Sequence, residues 1–398
     1  MTLLYWAMAL TLIWSPAGLV LLLCWLWKAP ADPEFVARLP RVQLRLWAYC
    51  AVLLIFPAFW TSPHPLLHGV GALGRYLLPA YLWFLLGARF GERETQRTVI
   101  KGLIAGALGL SALSLLGLLL RFLPIQATVE GSLVVQWHGS GPGSLRAQGL
   151  DMNANVLGAL LVLLLPVGFY ALRTAQADAA QTVMKSADRL KIGLGFGLWG
   201  GAIVASGSRN ALLGLVFCLL LWRYGFTLPG RRSRRGALSG MLGGVLGSLL
   251  GSLVLLGLWL RLEQLLHWHS ASAGWFTGRF QVFAVGLSMW CAYPLTGMGI
   301  LSVERLYPLF YMGWPQVAHL HNAFLQVAVE SGLPAMLVLS TLVGATIFRR
   351  WRSNTPLHRT QAISLTVLVA LSLGDHVLLD FRVLFVVLVL TALKLTSD

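Results

Sequence analysis

Charge is what this sequence has least of. Only 11% of its 398 residues are Asp, Glu, Lys or Arg, against about 25% in a soluble domain. Such a chain cannot cover a water-facing surface. Cysteine is also sparse. Cys24, Cys50, Cys218 and Cys291 are scattered and three sit in apolar runs, so neither a disulfide framework nor a cysteine metal centre is expected. No P-loop, HExxH or CxxC occurs, which sets aside the chemistries those motifs serve. The apolar runs lack the alternating period of a membrane barrel. Residues 3–27 lack a basic leader and exceed a typical signal core, so no cleavable signal is expected.

What is abundant is apolar side chain, 57% of the total. Runs of 18 or more such residues recur, each enough to cross a hydrocarbon core of about 30 Å. Backbone polar groups in lipid must be satisfied within the segment, so the runs are helices. They fall near residues 3–27, 45–61, 72–89, 100–122, 153–172, 192–206, 209–228, 236–260, 322–347, 360–374 and 379–396. That makes eleven, or twelve if Ser15-Pro16 splits the first. The expected fold is all-α: one polytopic membrane domain over residues 1–398.

The net charge of +16 does not point to nucleic acid, because most basic residues lie in short loops between apolar runs. Alternate loops hold 22 of the 30 Lys and Arg. The positive-inside rule makes that side cytoplasmic. The other side holds eight, all Arg: Arg75, Arg121, Arg146, Arg209, Arg261, Arg279, Arg305 and Arg382. It also holds every His except His358, and two long segments, 123–152 and 261–320. Long connections in a compact protein tend to be functional or disordered. Within the second, the stretch Trp275 to Trp290 predicts an amphipathic helix at the interface.

Four clusters on this outer side have chemical potential. Arg146 precedes a helix start at Asp151 to Asn155, where Asp151 or Asn153 suits the cap. It reads equally as an anion ligand and as a snorkelling Arg. Ser206, Ser208 and Arg209 form a short break whose following helix points free N–H groups outward, a charged anion site. Arg279 opens the amphipathic stretch, which ends at a turn, Tyr293 to Gly299. The run His319 to Ala335 leads into a helix. His321 stands at its start, Asn322 and Gln326 share a face, and Glu330 lies deeper, where a carboxylate is expensive. A smaller cluster, Asp375, His376, Asp380 and Arg382, forms the last outer turn, with Asp380 and Arg382 read as a local support.

The fourth cluster resembles the signature of the O-antigen ligase and polymerase superfamily, a His-Asn pair followed by Gly with nine residues between. Here these are His321-Asn322 and Gly332. The family often has Gly, Thr or Tyr three residues further on, where this chain has Ala335. Arg146, Gly149 and Asn155, the Ser208-Arg209 break, and Arg279 with Pro294, Leu295, Gly297 and Gly299 resemble further family motifs in the same order. The resemblance implies a glycosyltransferase of the bacterial inner membrane, with its site facing the periplasm. The implied donor is undecaprenyl-pyrophosphate-linked O-antigen and the implied acceptor a hydroxyl of the lipid A core. His321 is then the expected general base, and Arg146, Arg209 and Arg279 the pyrophosphate clamp. Asn155, Asn322, Gln326, Glu330 and His319 are expected supports. No cofactor, metal or nucleic acid is expected, transfer is expected to invert the anomeric centre, and the protein is expected to be a monomer among membrane lipids. An O-antigen polymerase is the nearest alternative, and a lipid-linked glycan flippase the alternative of a different class.

Overall fold

The computed structural model describes residues 1–28, 66, 70–71, 78–87, 89–90, 92–120, 146–148, 152–179, 186–227, 273–310, 319–353 and 355–393. The apolar runs expected at 45–61 and 236–260 lie outside these residues. The described regular structure is helical: α1 (Thr2–Ile13), α2 (Ser15–Lys28), α3 (Leu78–Gly87), α4 (Arg93–Leu120), α5 (Ala154–Ala179), α6 (Ser186–Ala205), α7 (Arg209–Thr227), α8 (Ala273–Ala292), α9 (Ser302–Phe310), α10 (Ala323–Arg352), α11 (Pro356–Gly374), a 3₁₀ turn (Val377–Leu379) and α12 (Phe381–Ala392). The all-α expectation holds. Helices α4, α5 and α10 contain spans long and apolar enough to cross a membrane.

The bundle is built around α5, whose residues Leu157 to Leu165 are all buried. A helix apolar on every side belongs in a core. It packs against α4, α6, α7 and α11. Trp199 of α6 is buried against it and donates its indole N–H to the Leu161 carbonyl at 3.0 Å.

The first apolar run is two helices. Trp14, extended at φ −142°, separates α1 from α2. Helix α1 runs beside and parallel to α4: Gly102 faces Tyr5 and Met8, Gly106 faces Ala9 and Leu12, and Gly109 faces Ile13. Helix α2 then folds back, with Gly18 against the Thr11 backbone and Trp25 packed on Phe90, just ahead of α4. At about 1.5 Å per residue these helices are roughly 18 and 21 Å long, too short to cross about 30 Å of hydrocarbon. The hairpin tip is held by Arg382, buried at the start of α12, whose Nε donates to Ser15 Oγ at 2.8 Å.

Helix α10 breaks at Gly332, which has φ +83°. The Leu333 N–H leaves the helix and donates to the Pro294 carbonyl at 2.8 Å. Pro334 has no N–H to give. The carbonyls of Val329 and Glu330, freed by these two departures, accept from Met298 N (2.8 Å) and Gly299 N (2.9 Å). The turn at Pro294 to Gly299 and the break in α10 thus satisfy each other's backbone. A Cβ on Gly332 would collide with the Leu295 carbonyl. The left-handed backbone adds about 1–2 kcal/mol for any residue with a Cβ. Gly332→Ala should therefore lower the melting temperature of the detergent-solubilised protein, and an unchanged melting curve would contradict this account of the break.

Candidate functional site

Four chain segments converge at one end of the bundle: the approach to α5, the α6–α7 turn, the start of α10, and the α11–α12 connection. The first three are placed by a local signal visible in the sequence. Asn153 Oδ1 accepts the Asn155 N–H at 2.6 Å at the start of α5. In the α6–α7 turn, Ser206 Oγ accepts from Ser208 N and Ser208 Oγ accepts from Ala211 N, both at 3.2 Å. Asn322 Oδ1 accepts the N–H groups of Phe324 and Leu325, both at 3.0 Å, and so caps α10. The Asn322 amide donates to the Leu373 carbonyl at 3.2 Å, which ties that cap to the end of α11.

A continuous polar chain links these segments. Arg146 Nε donates to the Ser206 carbonyl at 2.7 Å and its terminal nitrogen to Asn155 Oδ1 at 2.7 Å. Asn155 Nδ2 then donates to Asp375 Oδ2 at 3.0 Å. The other Asp375 oxygen, Oδ1, receives the His376 N–H (2.8 Å), His376 Nδ1 (3.0 Å) and His321 Nδ1 (3.2 Å). The Asp375 side chain is 1% exposed. Burial pushes its carboxyl pKa up, but hydrogen bonds from His321 and His376, with their charge, outweigh this and hold it far below the usual carboxylate range. An ionised carboxylate only accepts, so both imidazoles present Nδ1–H to it, and in a neutral His321 ring the lone pair is then on Nε2. Burial, then the neighbouring Arg209, lowers the Arg146 pKa, with Asp375 opposing. Arg146 and Arg209 therefore lie close enough to feel each other's charge.

His321 has left-handed backbone, φ +52°, rare for a residue with a side chain and typical of functional sites. Both its neighbours are pinned. Asn322 is the cap, and the Leu320 N–H donates to Gln326 Oε1 at 2.9 Å. The Gln326 amide donates to Glu330 Oε1 at 2.8 Å, and that oxygen also accepts from Leu301 N at 3.2 Å. Gln326 and Glu330 are buried, and their bonds brace the loop behind His321. His319 stacks on His376 with ring centroids 3.5 Å apart and meets His321 edge-on at 4.7 Å.

Of the residues expected from sequence, Arg146, Asn155, Arg209, His319, His321 and Asn322 come together here, with Gln326 and Glu330 beneath. Arg279 lies in α8, and its side chain is outside the described residues, as are Gly149 and Asp151. The face of α8 formed by Val282, Val285, Gly286 and Met289 is buried, and Gln281, Leu287 and Ser288 are exposed. Sequence reasoning undervalued Asp375 and His376. Asp375 joins the Arg146 side of the site to the His321 side. The usable signal was a carboxylate closing an apolar helix, an expensive placement that needs partners. The support expected between Asp380 and Arg382 takes a different form: Asp380 Oδ1 caps α12 by accepting Arg382 N at 2.9 Å, while the Arg382 guanidinium reaches Ser15. His319, His321, His376 and Asp375 also offer donor atoms within 4.8 Å of one another, a set able to hold a metal ion.

Residues 194–340 match the family model described as O-antigen ligase. The matched stretch contains Arg209, Arg279, His321 and the Gly332 break. This stretch, rather more than a third of the chain, is similar to the O-antigen ligase superfamily. Members of this superfamily are glycosyltransferase-like membrane enzymes that in general use lipid-linked glycans and lipid A-core acceptors. Arg146, Asn155, Asp375 and His376 lie outside the matched stretch, yet they complete the site around it. No curated protein matches the chain.

Proposed function

We propose that this protein is an O-antigen ligase. It moves glycan from an undecaprenyl-pyrophosphate carrier to a sugar hydroxyl of the lipid A core, at the periplasmic face of the inner membrane. The observation that carries the proposal is the hydrogen-bonded chain Arg146–Asn155–Asp375–His321, which links a guanidinium to an imidazole. As the acceptor oxygen attacks the anomeric carbon, its proton passes to His321 Nε2. The bond from the anomeric carbon to the pyrophosphate oxygen breaks, and undecaprenyl pyrophosphate departs with the bonding electrons. Direct displacement inverts the anomeric centre. Arg146, Arg209 and Arg279 stabilise the charge that grows on the leaving diphosphate, the task a divalent ion performs in other transferases. Transfer is therefore expected to persist in excess chelator. A loss that magnesium restores would contradict the clamp.

Arg146 makes its two bonds with a planar fork that lysine cannot reproduce. Arg146→Lys should raise the donor KM by about 10–100-fold, the scale of one or two lost charge-assisted bonds. An unchanged KM would remove Arg146 from the clamp.

A polymerase would share the leaving group but accept a second lipid-linked glycan. A flippase would do no chemistry. The lipopolysaccharide ladder of a deletion strain separates the three. A ligase defect leaves lipid-linked polymer accumulating with no ladder. A polymerase defect leaves a single repeat on the core. A flippase defect leaves no lipid-linked glycan at the outer face, and either of the last two patterns would overturn the proposal.

A further inference from the structure

We propose that His319, His321, His376 and Asp375 bind one divalent transition-metal ion of the zinc class, and that this ion competes with glycan transfer for His321. Three imidazoles and one carboxylate suit zinc, and imidazole ligands are poorly matched to magnesium or calcium. Their donor atoms already lie within 4.8 Å of one another. Four tetrahedral donors about 2.0–2.1 Å from zinc stand roughly 3.4 Å apart, so the contraction needed is on the order of an ångström or so. The two Nδ1 atoms that converge on Asp375 Oδ1 at 3.0 and 3.2 Å already face one point. Behind the carboxylate, Asn155 Nδ2 holds Oδ2 and Arg146 holds Asn155, the kind of outer support that orients metal ligands. All three His side chains are part-exposed, which leaves the cluster a path from solvent.

The competition rests on the reading of His321 as general base. A neutral imidazole has one lone pair for a metal and one N–H. When one nitrogen binds zinc, the other carries the proton and cannot accept one from the acceptor hydroxyl. The same ring therefore serves the ion or the reaction, not both at once.

The test begins with binding, independently of activity. Chelator-stripped full-length protein in detergent is titrated calorimetrically with zinc, and in parallel with cobalt(II), whose visible spectrum reports four-coordination. The expected result is one ion per chain, a four-coordinate cobalt spectrum, and affinity at least about 10-fold weaker in His376→Ala and in His319→Gln. No stoichiometric binding by the folded wild type, or unchanged affinity in two folded variants, overturns the site. If a variant does not fold, the wild-type stoichiometry and cobalt spectrum still decide. The second arm measures transfer: zinc should inhibit the wild type and chelator should restore it. Zinc that binds without inhibiting overturns the competition. If His321→Ala protein transfers normally, the general-base reading fails while the binding result stands apart.

Discussion

Replacing His321 with alanine is expected to reduce glycan transfer by at least about 10²-fold while the lipid-linked donor still binds. General base catalysis contributes about 10²–10⁴-fold. The proposed diphosphate grip lies on different side chains, Arg146, Arg209 and Arg279, of which Arg146 is linked to the proposed base through Asn155 and Asp375. The loss should therefore appear in kcat with donor KM little changed. The pinned neighbours make the test clean. Leu320 is held by Gln326 and Asn322 caps α10 through its own side chain, so the loop keeps its anchors when the imidazole is removed. Purified His321→Ala protein that turns over at the wild-type rate would remove the base from the mechanism.

Asp375→Asn is expected to be nearly as damaging, with transfer down by about 10² or more and the fold retained. In hydrolytic triads a buried carboxylate fixes the imidazole tautomer, and the matching amide substitution is very costly. Here Asp375 Oδ1 takes three N–H groups and Oδ2 takes Asn155 Nδ2. An amide puts an NH₂ group against one of these donor sets. His321 or Asn155 must then reorient, and the tautomer with a free Nε2 is no longer enforced. Asp375 is thus a positioning residue. Its variant should change kcat more than donor KM, and should shift the His321 ring resonances in NMR spectra of selectively labelled protein. Wild-type turnover with an unshifted His321 would refute this role. His376→Ala, which leaves the carboxylate in place, should harm transfer less than Asp375→Asn.

Much of this was legible in the sequence because it is local. The caps at Asn153, Ser208 and Asn322 announce the starts of α5, α7 and α10 one or two residues away. Loop charge groups Arg146, Arg209 and His321 on one side, and the structure places them at one end of the bundle. What was not legible is set by distant partners. Ser15-Pro16 marks a break in the first apolar run, but the fold-back of α2 depends on Gly18 meeting Thr11 and on Arg382, hundreds of residues later, reaching Ser15. Asp375 looks like a turn residue until Asn155, 220 positions earlier, is seen bonded to it. Gln326 and Glu330 read as supports of the site, without a partner that the sequence could name. They are buried and turned to the loop backbone. Helix α9 escaped notice because Glu304, Arg305 and Pro308 interrupt any apolar run. The Pro294 to Gly299 turn was visible, but its docking into the α10 break follows only from counting the carbonyls that Gly332 and Pro334 release.

The decisive measurement is transfer in a defined mixture: purified protein, lipid-linked O-antigen and rough lipopolysaccharide in detergent, with chelator present. Guanidinium groups holding the diphosphate beside an Asp375-oriented imidazole predict a lipopolysaccharide ladder with release of undecaprenyl pyrophosphate, lost in His321→Ala. No ladder from folded, donor-binding wild-type protein, or growth of the lipid-linked glycan in its place, would contradict it.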